Sequence, residues 1–219
     1  YSKLKIFNSR PFFKTLLQNI SNLSKLKGIE YFILLMIGTV TYDGLRGTVF
    51  WYNQFGTKVY DLLFSTIMFF GINLLLIGFY RFACYFAIKV SNSNHSLNDI
   101  SLMFAHTMLP IAFAYHVTHY LSLLLFESQT FFYRLNDPIG TGADLFGVTD
   151  VTIVYFLSPV ALWTIQVIVT LLGHMLSVVL AHDLSVKLFG HQQSDKTQYI
   201  FLFITVALTL QALFVLSVP

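Results

Sequence analysis

Charge and cysteine are what this chain lacks. Only 11% of its 219 residues are Asp, Glu, Lys or Arg, against about 25% in an ordinary soluble domain. A deficit of that size leaves too little polar surface to face water on every side, and it excludes a soluble globular domain. Cys84 is the one cysteine, which excludes an internal disulfide and any thiolate metal cluster. A Walker-type phosphate loop, a GxSxG elbow and a GxGxxG turn are missing as well, so nucleotide-binding and serine-hydrolase chemistry have no motif behind them. Acids are absent from residues 1–29, which carry Lys3, Lys5, Arg10, Lys14, Lys25 and Lys27. These cations directly precede a hydrophobic stretch and are not interleaved with stacking aromatics. They point to a membrane flank, with no nucleic-acid partner. No secretory signal pattern opens the chain, and its start at Tyr1 reads as a processed product or one piece of a longer polypeptide.

What the chain has is hydrocarbon: 56% of it is hydrophobic and 17% aromatic. Apolar stretches long enough to cross a bilayer recur along it, a helix needing about 20 residues to cross about 30 Å. The expected fold class is all-α, a polytopic transmembrane helical bundle with about five spanning helices behind an amphipathic interfacial helix. Residues 1–28 form the basic amphipathic segment, with Phe12, Leu16, Ile20, Leu23 and Leu26 at helical spacing. The transmembrane domain covers 29–219, with spans at about 29–51, 59–90, 99–126, 151–189 and 199–218. Gly38, Gly44 and Gly47 interrupt the first span, Pro110 the third, and Pro159 and Gly173 the fourth. Lysines and arginines concentrate before the first span, after the second and between the fourth and fifth. This bias orients the N-terminus to the cytoplasmic or matrix side of a plasma or organelle inner membrane. The connection 127–150, with an Asn-Asp-Pro turn, three glycines and several aromatics, then lies outside as a lid or as a set of interfacial anchors.

Histidine carries the chemical interest. Ionisable side chains inside a bilayer are costly, and they tend to face the bundle interior or a water-filled cavity. His106, His116 and His119 fall in the third span, and His174 and His182 in the fourth. Counting at about 1.5 Å per residue places His116, His119, His174 and Asp43 at comparable depth, with His106 and His182 nearer the inner face. His116 and His119, three apart, share a helix face. With His174 and Asp43 they make a candidate nitrogen/oxygen site for copper, iron or zinc. His106 with His182 is a second grouping, and facing histidines of this kind would also suit haem b. A salt bridge to Arg46 is the structural alternative for Asp43, and hydrogen bonds to neighbouring helices are the alternative for each histidine. Asn73 and Gln166 are available to support either site.

The stretches GTVTYDGLRGTVFW at 38–51, HTMLPIAFAYHVTHYLSLLL at 106–125, DPIGTGADLFG at 137–147 and GHMLSVVLAHD at 173–183 resemble a family of multi-pass bacterial membrane proteins, frequent in actinobacteria and labelled "fenitrothion hydrolase". The likeness spans roughly residues 35–185 and includes Asp43, His119, His174, His182 and Asp183. It resembles the C-terminal half of such proteins, which implies functionally important histidines and further membrane subunits as partners. Three functions fit these residues: an intramembrane metal centre for redox or metal-assisted chemistry, a proton or metal-ion transporter, and a cofactor-free scaffold of a larger membrane complex.

Overall fold

The computed structural model describes residues 28–147 and 152–217, with the side chains of 191–193 and 217 left aside. The expected N-terminal amphipathic helix lies outside the described residues. All regular structure among the described residues is helical. The helices are α1 (Ile29–Arg46), α2 (Val49–Phe55), α3 (Leu62–Ser91), α4 (Leu97–Ala105), α5 (Leu109–His119), α6 (Leu121–Leu125), α7 (Phe131–Asn136), α8 (Pro159–Phe189) and α9 (His191–Ser217).

Four stretches are long and apolar enough to cross a membrane: Leu62–Ser91, Leu97–His119, Pro159–Phe189 and Ser194–Leu216. The chain is therefore a helical membrane protein. The expected first span is α1, an 18-residue helix that carries Glu30, Asp43 and Arg46. Three charges and a length of about 27 Å at 1.5 Å per residue set it apart from the other four. Its middle is nonetheless well enclosed in the bundle, with Ile33, Leu34, Ile37 and Val40 all buried. Lipid-type exposure falls instead on α3, where Leu62, Leu63, Ile67, Phe70, Leu74 and Leu75 are bare.

Local chemistry sets the ends of the helices. Asp61 caps α3 by accepting Phe64 N–H at 2.9 Å, and Asn92 closes it in the left-handed region. The fourth span begins at Pro159, later than expected, because Ser158 caps it and accepts Ala161 N–H; proline at the first helical position needs no donor there. Pro110 interrupts the third span as its sequence implies. A 3-10 turn, His106–Met108, separates α4 from α5. Ile111, just past the proline, donates its N–H to Ser177 Oγ of α8 at 3.1 Å. A neighbouring helix thus supplies an acceptor at the break, which a bilayer interior demands.

Contacts at the two ends fix the directions. Glu30 at the start of α1 accepts from Arg81 late in α3 at 3.1 Å, and Arg81 also donates to Asn98 at the start of α4 at 2.7 Å. At the opposite end Asp43 of α1 meets His119 of α5, and Gly44 abuts Val215 of α9. So α1, α4–α5 and α9 run one way, and α3 and α8 run the other.

Small residues let the helices approach closely. A Cβ at Gly38 would overlap Asn73 Oδ1 of α3, and a Cβ at Gly173 would overlap Ala114 of α5. Asn73 is 2% exposed and donates to Phe69 O within its own helix. Gly38→Val should therefore cost about 1–3 kcal/mol by overpacking, read as a lower midpoint of thermal unfolding in detergent. Gly71, where nothing lies within 4 Å of an added Cβ, provides the control: Gly71→Ala should leave the midpoint unchanged or raise it.

Candidate functional site

The end of the bundle where α1, α5 and α9 all terminate holds the most reactive arrangement. Asp43 sits in the last turn of α1, before Gly47 closes the helix and Thr48 caps α2 by accepting Trp51 N–H. His119 is the last residue of α5, and Tyr120 ends that helix at φ −96°, ψ 8°. His119 Nε2 lies 2.9 Å from Asp43 Oδ2, and the Tyr120 hydroxyl donates to the same oxygen at 3.2 Å. The His119 and Tyr120 rings meet edge to face at 4.8 Å. Beside them opens a cavity of about 270 Å³, lined by Asp43, Gly44, Gly47, Thr48, His119, Gln166, Val215 and Leu216.

This pair is not what holds the bundle together. The Asp43 side chain is 50% exposed and that of His119 16%, so the bond contributes within the range of about 0–1 kcal/mol typical of open ion pairs. Arg46, the alternative partner for Asp43, is exposed and outside the cavity lining.

Below the cavity, polar side chains continue along the seam between α1, α5, α8 and α9. Thr41 donates to Gln211 Oε1 at 3.1 Å, and Gln211 donates to the Tyr115 hydroxyl at 2.7 Å. Gln166 donates to Thr118 O at 2.8 Å, and the Thr170 hydroxyl lies 3.4 Å from that of Thr118. One level deeper, Thr209 gives its hydroxyl hydrogen to Thr205 O at 2.7 Å and stands 2.9 Å from His174 Nδ1. Since a hydroxyl has one hydrogen, His174 is the donor in that contact. Its Nε2 then carries the lone pair.

The candidate donors therefore separate. Asp43 and His119 meet, whereas His174 joins Thr209. His116 Nδ1 donates to Ala112 O at 3.0 Å, one turn back in its own helix. His106 does likewise to Leu102 O at 2.6 Å and is fully enclosed, with Nε2 lacking a partner. His182 is half-buried and its Nδ1 has none either. Among the described residues, no three His, Cys, Asp or Glu side chains gather closely enough to hold a metal ion. Tyr120, Thr48 and Tyr115 were not singled out by the sequence. Adjacency to His119 was the available signal for Tyr120; nothing local marked the other two.

Among the described residues, the connection after α5 contributes no side chain to the cavity lining. It is organised around Asn136 and Asp137. Asn136 donates to Asp144 at 2.7 Å and accepts Phe146 N–H, while Asp137 accepts the N–H groups of Thr141 at 2.8 Å and Gly142 at 2.5 Å. Gly140 and Gly142, both at positive φ, turn the chain so that these donors converge. Around the loop, Phe131, Phe132, Tyr133, Ile139, Leu145 and Phe146 are exposed, a composition suited to a membrane interface.

The fold and the site together define a class: a helical membrane protein with a carboxylate–imidazole pair at one mouth of its bundle. Compared with family models, curated proteins and solved structures, the chain matches none.

The loop supplies a pH test. The Thr141 and then the Gly142 N–H groups hold the Asp137 carboxyl below the usual carboxylate range. A depressed folded-state value means that the stabilisation is complete above the unfolded value of about 4 and lost as pH falls through the lower folded value. Limited proteolysis should find the loop protected at neutral pH and progressively cleaved by an acid-active protease below that range. Asp137→Ala should be cleaved at neutral pH too.

Proposed function

We propose that this protein is a proton-relaying membrane subunit whose Asp43–His119 pair exchanges protons with water at the mouth of the bundle. The observation that carries this reading is the 2.9 Å bond between the two side chains beside an open cavity, at a place where the fold gains little from it. A carboxylate that accepts one imidazole N–H fixes the orientation of the ring and leaves its other nitrogen to take up and release protons. The hydroxyl, amide and imidazole groups of Thr41, Gln211, Tyr115, Thr118, Thr170, Thr209 and His174 supply donors and acceptors further in, as relays inside membranes require. In the orientation expected from the basic N-terminus, the cavity faces the outer side and the Glu30–Arg81 end faces the cytoplasm or matrix. A fifth span formed by α1, partner subunits in the same membrane and membership in the "fenitrothion hydrolase"-like family belong to this proposal.

A metal-centred reading has one observation in its favour. Asp43 and His119 are two ligand-type side chains on an open cavity, where substrate, water or a neighbouring subunit would complete the coordination of copper, iron or zinc. Elemental analysis of natively purified protein separates the two: a near-stoichiometric metal lost in His119→Ala favours the centre, and metal-free protein that still conducts protons favours the relay.

The relay is tested in proteoliposomes with a trapped pH-sensitive dye and an imposed diffusion potential, in potassium buffer. Asp43→Asn and His119→Gln should each lower proton flux about a hundredfold, the low end of what a positioned acid–base group contributes. Arg46→Gln should conduct like the parent. Flux at the parental level in both Asp43→Asn and His119→Gln would sink the reading.

A further inference from the structure

Among the described residues, the cavity at Asp43 offers more acceptors than donors. Gln166 gives one of its two amide N–H groups to Thr118 O, which leaves one N–H and the carbonyl oxygen beside the cavity it lines. Asp43 uses Oδ2 for His119 and Tyr120, which leaves Oδ1. A neutral His119 that donates from Nε2 keeps a lone pair on Nδ1. Thr48 gives its hydroxyl hydrogen to Leu45 O at 2.7 Å and so presents no donor either.

The backbone adds to this. Asp43 and Gly44 lie in the last turn of α1, His119 is the last residue of α5, and Val215 and Leu216 lie in the last turn of α9. Three helix C-termini, each carrying a partial negative charge, converge on one cavity that already holds a carboxylate. Opposing N-termini are weak here. The short α2 has its Trp51 N–H taken by Thr48, and α8 begins seven residues before Gln166, beyond the single turn over which a helix end is felt. Among the described residues, no lysine or arginine lines the cavity.

We propose that this cavity is a binding site for a small monovalent cation that donates hydrogen bonds, ammonium or a protonated primary amine. An acceptor-rich, negatively polarised site recognises such a cation twice, through its charge and through its N–H groups. An alkali ion of similar size satisfies only the first. About 270 Å³ accommodates a small amine with water, each water occupying about 30 Å³. The inference rests on the reading of the Asp43–His119 pair as the functional centre, and it names the species that centre meets.

The test uses the full chain in detergent micelles at constant ionic strength, read by thermal unfolding. Ammonium and methylammonium chloride should raise the midpoint in a saturable way. Potassium should do so weakly, and tetramethylammonium, a cation without N–H groups, should have no effect. Asp43→Asn should abolish the ammonium response, Gln166→Leu should reduce it, and Arg46→Gln should keep it. If Asp43→Asn does not fold, Gln166→Leu decides on its own. An absent ammonium response, an equal response to potassium, or a full response in Gln166→Leu overturns the proposal. Because the flux assay runs in potassium buffer without ammonium, proton conduction with no ammonium response would refute cation recognition while leaving the relay in place.

Discussion

A hydrocarbon surround makes an unpaired polar group costly, and much of the bundle is organised by that constraint. Water cannot repair a broken helix ladder or satisfy a stray amide at depth, so neighbouring helices must do it. Ser177 answers Ile111, Gln166 answers the Thr118 carbonyl, Thr209 answers His174, and Arg81 answers Glu30. Each bond joins two helices and fixes their relative height. Register in this protein is set by such polar contacts together with the close approach of Gly38 to Asn73 and Gly173 to Ala114.

The same constraint separates polar groups paired inside the protein from those open to water. Thr41, Gln211, Tyr115 and Thr118 are buried or half-buried with their hydrogen bonds made inside the protein. Asp43 differs in being half exposed, in contributing little to packing and in bordering open space. A costly charge retained where the fold does not need it is the sort of residue that function keeps in place. That contrast, more than the number of histidines, directs attention to one end of the bundle.

Hydropathy made the helical membrane class legible, because apolar length is a direct consequence of bilayer thickness. Pro110 also announced its effect, since a missing N–H acts locally, whereas Pro159, expected inside the fourth span, instead starts it behind the Ser158 cap. Depth counting along single helices put Asp43, His116, His119 and His174 at one level, and of these Asp43 and His119 meet. It said nothing of rotation about the helix axis, and rotation is what turns His116 toward its own backbone and His174 toward Thr209. Gln211 and Thr209 were visible as polar exceptions in the last apolar stretch, but their partners sit far away in sequence. α1 carries three charges and so resembles a poor span, yet its apolar middle is buried among the other helices.

Pro110 and Ser177 have a mechanical consequence. A continuous α-helix is stiff because every turn is tied to the next, and the rod formed by α4 and α5 loses that tie at a single joint. A side chain of the antiparallel α8 stands in at the gap, so the compliance of the rod depends on where α8 sits. One hydroxyl group thus stands at the junction between two halves of a helix, and the cavity mouth lies at the far end of the second half.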